Sequence, residues 1–311
     1  MPLRSSQHTL RRPIFCSGVG LHSGKEVSLT LRPARPNTGI VFRRVDLPGR
    51  PTIAVSADNV SPSPLCTMLH DSETDAAVMT VEHVLAALSA LGVDNVLCDL
   101  DAVEVPILDG SSEPFVFLIE SAGLRAQSAS RRYLKVLRPV EYRDGDKVAR
   151  LEPADAFYLD ARISFQDIAI GEQQATLMLS PYAFKAELAA ARTFTCAKDI
   201  TQMRAAGLAL GGSLDNAVVV DGARVLNPEG FRMHEECVRH KLLDAVGDLA
   251  LAGYPLLARY TGVKAGHYMH YRLVEALLSD SENYAILGSG DTAPVSYRLF
   301  EVDTAVRLHA A

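Results

Sequence analysis

Residues Val27–Arg32 alternate apolar and polar side chains with a period of two, the pattern of a half-buried strand. Strands are expected over 14–45, punctuated by Gly18, Gly20 and Gly24, until Pro33, Pro36 and the Asn37-Thr38-Gly39 run mark a loop. The period then changes. Residues 81–91 are apolar almost throughout, with Thr80 in position to cap the N-terminus and Gly92 to stop the C-terminus, which predicts a helix. Val93–Leu100 reads as a strand and 112–122 as a second helix closed by Gly123. Residues 124–133 are polar and without periodicity, and are the expected linker. Strands resume at 133–141, 147–152 and 157–165, followed by a helix over 181–191. A loop-rich stretch containing Gly207, Gly211 and Gly212 leads to a helix over 234–252, stopped by Gly253 and Pro255, and to a last helix over 266–278.

The two halves echo each other. Gly24-Lys25-Glu26-Val27, leading to Arg32-Pro33-Ala34, resembles Gly145-Asp146-Lys147-Val148, leading to Glu152-Pro153-Ala154. In each half, strands precede a helix that carries a histidine, His83 in one and His240 in the other, which suggests a duplicated α+β unit. Domains are therefore expected over 1–126 and 133–311, and a chain of 311 residues is long enough for two.

A formal net charge of −6 provides no broad basic field for nucleic acid, although a local lysine pocket for a phosphate fits that balance. Five widely spaced cysteines without a CxxC pair argue against a cysteine-based zinc site and point to a reducing compartment. The N-terminus lacks the apolar core of a secretory signal, and no run of 18 apolar residues offers a membrane-spanning helix. A cytoplasmic protein, expected to be a monomer, fits these features.

His240, Asp244 and Asp248 stand at i, i+4 and i+8 and share one helix face. A histidine and a carboxylate one turn apart can coordinate one metal, and a solvated face with a His–Asp hydrogen bond fits the same spacing. Glu82 and His83 open the first helix; adjacent residues diverge by about 100°, so Glu82 can act as a base beside a metal that His83 binds, and an exposed glutamate beside a satisfied histidine fits the same pattern. The order differs from HExxH, since residue 87 is Ala. In Lys264-Ala265-Gly266-His267, a glycine before a helix-starting histidine permits close backbone approach, and His267 can serve as an acid or a base, or be an ordinary surface histidine. Thr193 can donate to an oxyanion, or simply cap or pack. Other motifs fail: Gly18–Gly24 is one residue too long for GxGxxG, the Gly288 stretch lacks a Walker lysine, and no GxSxG elbow exists. His8, His22, His70, His234, His270 and His309 lack a supporting cluster in the sequence.

Seven motifs, in one order, carry a family resemblance. They are Ser17–Lys25, Thr80–His83, Pro106–Ser111, Ala191–Phe194, Gly211–Ala217, Arg239–Asp248 and Lys264–His267. Together they resemble the UDP-3-O-acyl-N-acetylglucosamine deacetylases, zinc enzymes of lipid A biosynthesis. The resemblance implies a duplicated two-layer sandwich, each layer of helices on a β-sheet, with the active site between the domains. It implies one zinc ion per chain, held by His83, His240 and Asp244 with water as a further ligand. It implies Glu82 as the base, His267 as the acid, Asp248 as the partner of His267, and Thr193 as an oxyanion donor. Lys241, Lys147, Lys264 and Phe165 match positions that hold the UDP-sugar, and Phe194 and Gly212 lie in the matched motifs. An insert at about 196–220 matches the family's apolar passage for the acyl chain, with Leu208, Leu210, Ala217 and Val219 as suitable lining. Ala209 and Leu214 stand where bulkier or sulfur-bearing residues are common, and Met269-His270-Tyr271 is less typical of the family. No fused dehydratase is expected. The rival readings are a zinc amidase acting on another amphiphile or sugar, and a catalytically silent binding protein; the complete Glu82, Thr193 and His267 set argues against the second.

Overall fold

The structure, a computed structural model, describes residues 4–63 and 65–288; His309 and the rest of the expected C-terminal domain beyond 288 lie outside them. Two sheets carry the fold, and their strand orders repeat. In the first, the spatial order is Ile14–Val19, Glu26–Pro33, Val96–Leu100, Ile40–Arg44 and Thr52–Ala54. Its central strand runs antiparallel to Glu26–Pro33 and parallel to Ile40–Arg44. In the second, the order Val140–Asp144, Lys147–Pro153, Leu256–Val263, Phe157–Ser164 and Glu172–Met178 has the same directions, Leu256–Val263 lying antiparallel to Lys147–Pro153 and parallel to Phe157–Ser164. Glu26–Pro33 and Lys147–Pro153, the strands that carry the echoed sequence motif, occupy equivalent places. The second sheet extends further through Arg132–Val136 and Tyr284–Gly288.

Helices cover one face of each sheet, as an α+β sandwich requires. We label them α1 (Glu82–Leu91), α2 (Glu113–Ala122), α3 (Pro181–Glu187), α4 (Ala197–Ala205), α5 (Glu236–Asp248) and α6 (His267–Leu278). α2 packs on the strand Ile14–Val19, α5 on Phe157–Ser164 and Glu172–Met178, and α6 on Val140–Asp144 and Lys147–Pro153. α1 and α5 face each other where the two layers meet. Nine of the ten residues of α1 are buried, which explains its nearly unbroken apolar sequence: it is covered on all sides rather than on one stripe. At the crossing, a Cβ on Gly247 would lie 2.0 Å from the backbone oxygen of Glu82, so only glycine lets α5 approach so closely.

Three local expectations change. Thr80 does not cap α1. Its φ is +57°, its hydroxyl donates to Glu104, and the helix begins one residue later, after Val81. The expected linker contains a strand, Leu124–Ser130, paired antiparallel with Ser6–Leu10. That ribbon is held by backbone hydrogen bonds and half exposed, so its side-chain pattern carries no period. The expected helix over 181–191 stops at Glu187. Conversely, the insert holds the short helix α4, none of whose residues is buried. Among the described residues no helix is long and apolar enough to cross a membrane.

Candidate active site

The first turn of α1, the inner face of α5 and the start of α6 converge. α5 contributes His240, Asp244 and Asp248 from successive turns, all buried. α1 contributes Glu82 and His83, also buried. His267 opens α6 directly after Gly266, whose extended backbone turns the chain into the helix.

His83, His240 and Asp244 form a group in which one ligand atom from each lies within 4.8 Å of the others. Asp244 Oδ1 is 3.3 Å from His240 Nε2 and 3.6 Å from His83 Nε2. His240 Nδ1 lies 3.0 Å from the carbonyl oxygen of Ala191, which can only accept, so Nδ1 carries the proton. Burial pushes the pKa of His240 down to about 3, so its ring is neutral and Nε2 presents a lone pair. Asp244 Oδ1 is buried and has no hydrogen-bond donor. Burial alone would raise the Asp244 pKa, but the Lys241 ammonium and the protonated His267 oppose it, and the carboxyl is held well below its ordinary range. A carboxylate oxygen thus faces an imidazole lone pair across a short gap, an arrangement that is repulsive without a cation and favourable with one. Its nitrogen and oxygen donors suit a metal such as zinc. Lys241 donates to the other oxygen, Asp244 Oδ2, at 2.8 Å, and so fixes the carboxylate plane.

Glu82, Asp248 and His267 form a second acidic group of similar size. Three of its four carboxylate oxygens are already engaged. Asp248 Oδ1 accepts from Thr67 Oγ1 at 2.5 Å, and Oδ2 lies 2.9 Å from His267 Nδ1 and 2.6 Å from His270 Nδ1. Glu82 Oε2 accepts from the Thr67 backbone N–H. This second group is therefore built for holding side chains and protons rather than a metal. Burial raises the pKa of Glu82, with His267 and His83 opposing. For His267, burial would lower the pKa, but Asp248 first, then Glu82 and Asp244, outweigh it and lift it to about 9. His267 Nε2 lies 3.8 Å from Glu82 Oε1. A base candidate and a protonated acid thus flank the metal-competent group.

The other sequence candidates lie around this centre. Phe194 packs edge-on against His240 and Phe165, with centroids 6.4 and 5.4 Å apart, and Lys241 Nζ sits 5.6 Å above the Phe194 ring. Thr193 precedes Phe194, and its backbone N–H donates to Gly110. Lys147 and Lys264 stand together beyond the Val148–Val263 pair at the end of these two strands, with Asp144 and Asp146 as their ion-pair partners. Gly212 and Ala217 lie in the insert, which is tied to the other half by Leu210 N–H to His22 O and Gly211 N–H to Leu21 O. Leu210 and Leu214 are exposed there, whereas Ala217 is buried.

Sequence reasoning missed Thr67, Glu104 and His270. The Glu104 carboxylate accepts from His22 N–H, Ser23 N–H and Thr80 Oγ1, and so holds the loop over the first helix. His270 lacks a cluster along the sequence, yet it stands three residues after His267 on one helix face, a spacing visible in the sequence.

The family described as LpxC, UDP-3-O-acyl N-acetylglycosamine deacetylase, matches residues 7–279. A protein of Anaeromyxobacter sp. (strain Fw109-5) named UDP-3-O-acyl-N-acetylglucosamine deacetylase is 48% identical over 299 residues, covering 94% of this chain and 95% of that protein. Proteins with the same name from Idiomarina loihiensis and Shewanella frigidimarina are 45% and 44% identical, each covering 94% of this chain and 96% of their own length.

Proposed function

Since the chain belongs to the UDP-3-O-acyl N-acetylglycosamine deacetylase family, we propose that it hydrolyses the N-acetyl group of a UDP-3-O-acyl-N-acetylglucosamine in lipid A biosynthesis. The products are UDP-3-O-acyl-glucosamine and acetate. The observation that carries the reading is the donor-free Asp244 Oδ1 facing the Nε2 atoms of His83 and His240, with Glu82 and His267 beside them. These three residues would hold one zinc ion. Bound there, zinc supplies the Lewis acidity that makes water nucleophilic near neutral pH and polarises an amide carbonyl.

This chain's own residues supply the rest. The Glu82 carboxylate takes the proton of the attacking water. The Thr193 hydroxyl donates to the oxygen that gains charge as the amide carbon becomes tetrahedral. His267, protonated and held through Nδ1 by Asp248, gives its Nε2 proton to the departing amine, which is a poor leaving group without one. Lys241, Lys147 and Lys264 offer cations to the diphosphate, and Phe165 and Phe194 an apolar surface to the nucleotide-sugar. Residues 196–220 receive the acyl chain, for which the exposed Leu210 and Leu214 provide apolar contact. The five free cysteines fit a reducing, cytoplasmic setting.

The test joins metal analysis of the purified protein to acetate release from UDP-3-O-acyl-N-acetylglucosamine. About one zinc per chain and acetate release that a chelator stops are expected; zinc-loaded protein that leaves this amide intact overturns the reading.

A further inference from the structure

Asp248 accepts at one oxygen, Oδ2, from two imidazoles: His267 at 2.9 Å and His270 at 2.6 Å. Burial would raise the Asp248 pKa, but His267 and His270 outweigh it and hold the carboxyl below its usual range, so it is an acceptor only. Both Nδ1 atoms must then donate. In a neutral His270 ring, Nε2 is left as an acceptor. The atom it meets, at 2.7 Å, is the Tyr260 hydroxyl. Tyr260 and His270 are both almost completely buried. Tyr260 belongs to the strand Leu256–Val263, and two residues on, a Cβ at Gly262 would lie 2.2 Å from the Tyr260 hydroxyl oxygen. A glycine inside a strand weakens it; here it leaves the space in which the hydroxyl reaches the ring.

Building on the deacetylase reading above, we propose that Tyr260 and His270 are positioning residues, a rear brace that fixes the Asp248 carboxylate, and through it His267, for proton delivery to the leaving amine. The Tyr260 O–H donates to His270 Nε2. That sets His270 as the Nδ1–H tautomer, which donates to Asp248 Oδ2. Thr67 Oγ1 donates to Oδ1 at 2.5 Å, so the carboxylate is pinned at both oxygens. With its plane fixed, Oδ2 aligns the His267 ring so that Nε2 points toward Glu82 and the reacting amide. Partners one bond removed from a functional group typically change activity by about 10–100-fold when removed, and hydrogen bonds in series act as a unit rather than as independent terms.

The experiment uses zinc-loaded full-length enzyme. Tyr260→Phe keeps the ring and removes only the hydroxyl; His270→Leu removes the brace; His270→Asn keeps an amide N–H that can donate to Asp248. Tyr260→Phe and His270→Leu are expected to lower kcat by about tenfold or more with KM and zinc content unchanged, and to displace the basic limb of the kcat/KM profile. His270→Asn is expected to recover most of the loss. The double variant Tyr260→Phe/His270→Leu is expected to be no slower than His270→Leu, and His270→Leu is expected to cost nothing further in a His267→Ala background. A merely structural role predicts the opposite: losses that persist without His267, follow the melting temperature and are not rescued by Asn. Unchanged kcat in both single variants also overturns the proposal. Nitrogen chemical shifts of the His270 ring provide a readout independent of turnover. They should report the Nδ1–H tautomer in the wild-type protein and a shift of the Nε2 resonance in Tyr260→Phe, where that acceptor loses its donor; the other tautomer in the wild type overturns the brace. Should the wild-type enzyme leave the UDP-sugar intact, the functional reading fails while these ring shifts still decide the brace.

Discussion

Gly247→Ala replaces one hydrogen by a methyl group inside α5. On helix propensity alone the change should stabilise by up to about 1 kcal/mol. The crossing with α1 reverses that sign. The new Cβ would lie 2.0 Å from the Glu82 backbone oxygen and 2.8 Å from its carbonyl carbon, and neither is the end of a flexible side chain. Ordinary contact begins at about 3.4 Å, so the helices must separate by about 1.4 Å at that point, because backbone cannot rotate away. Overpacking of this kind typically costs about 1–3 kcal/mol. The functional cost should be larger than the stability cost suggests. Glu82 and His83 are on one side of the crossing, Asp244 and Asp248 on the other, and two of the residues that would hold the metal, His83 and Asp244, have Nε2 and Oδ1 3.6 Å apart. Sites of this kind tolerate about 0.5 Å, and a 1 Å misplacement can cost about 100-fold. The assay is kcat/KM for deacetylation together with zinc content and thermal unfolding. We expect a loss of about 100-fold or more in kcat/KM and weaker zinc retention in a protein that still folds. Activity within a few-fold of wild type at full zinc occupancy would refute the claim that this glycine sets the distance between the halves of the site.

Asp244→Ala, His83→Ala and His240→Ala should each lower zinc content and activity together, measured by metal analysis; full occupancy in the two histidine variants removes them as ligands. The His267 pKa of about 9 lies above its usual 6.5, so the protonated acid persists through neutral pH and activity should fall as pH rises through about 9. Asp248→Asn removes the carboxylate that raises this value, so the basic limb of the pH profile should move to lower pH; a limb that stays in place refutes the pairing. At about 0.8 kcal/mol per buried methylene, a substrate shorter by four methylenes should lose on the order of 100-fold in kcat/KM, and a bulky residue at Ala217 should shift preference to shorter chains; equal values across chain lengths would exclude a buried passage. Arg192→Met should destabilise the fold by about 3–5 kcal/mol, read by denaturant unfolding, because the buried Glu236 carboxylate loses its guanidinium partner.

The sequence made the helical part of this site legible and left its supports hidden. The His240–Asp244 spacing needs only the helix period, and a glycine at 266 before His267 marks the start of α6. The duplication was visible as a weak motif at 24–34 and 145–154, and the structure shows the same strand order around both copies. Thr67 left no trace, because its partner Asp248 is 181 positions away and a threonine in a loop follows no period. Glu104 was hidden for the same reason: its three donors lie 24 to 82 positions distant. The polar ribbon at 124–130 reads as a linker because its order resides in backbone pairing with Ser6–Leu10.

One distinction could not come from spacing at all. Asp244 and Asp248 are the same residue type, one turn apart, on the same buried face of the same helix. Composition and periodicity treat them alike. What separates them is the supply of hydrogen-bond donors. Asp248 receives a hydroxyl and two imidazole N–H groups, so adding a cation there would displace bonds already made. Asp244 receives one ammonium at Oδ2 and nothing at Oδ1, which faces the lone pair of a neutral imidazole. A buried carboxylate oxygen without a donor costs about 1–3 kcal/mol or more, and a cation between it and the histidines removes that cost. The donors come from Thr67 and from His267 and His270 on α6, two places far apart in the chain. The division between a carboxylate oxygen left open to a cation and a carboxylate already filled by donors is therefore made by the fold around the helix.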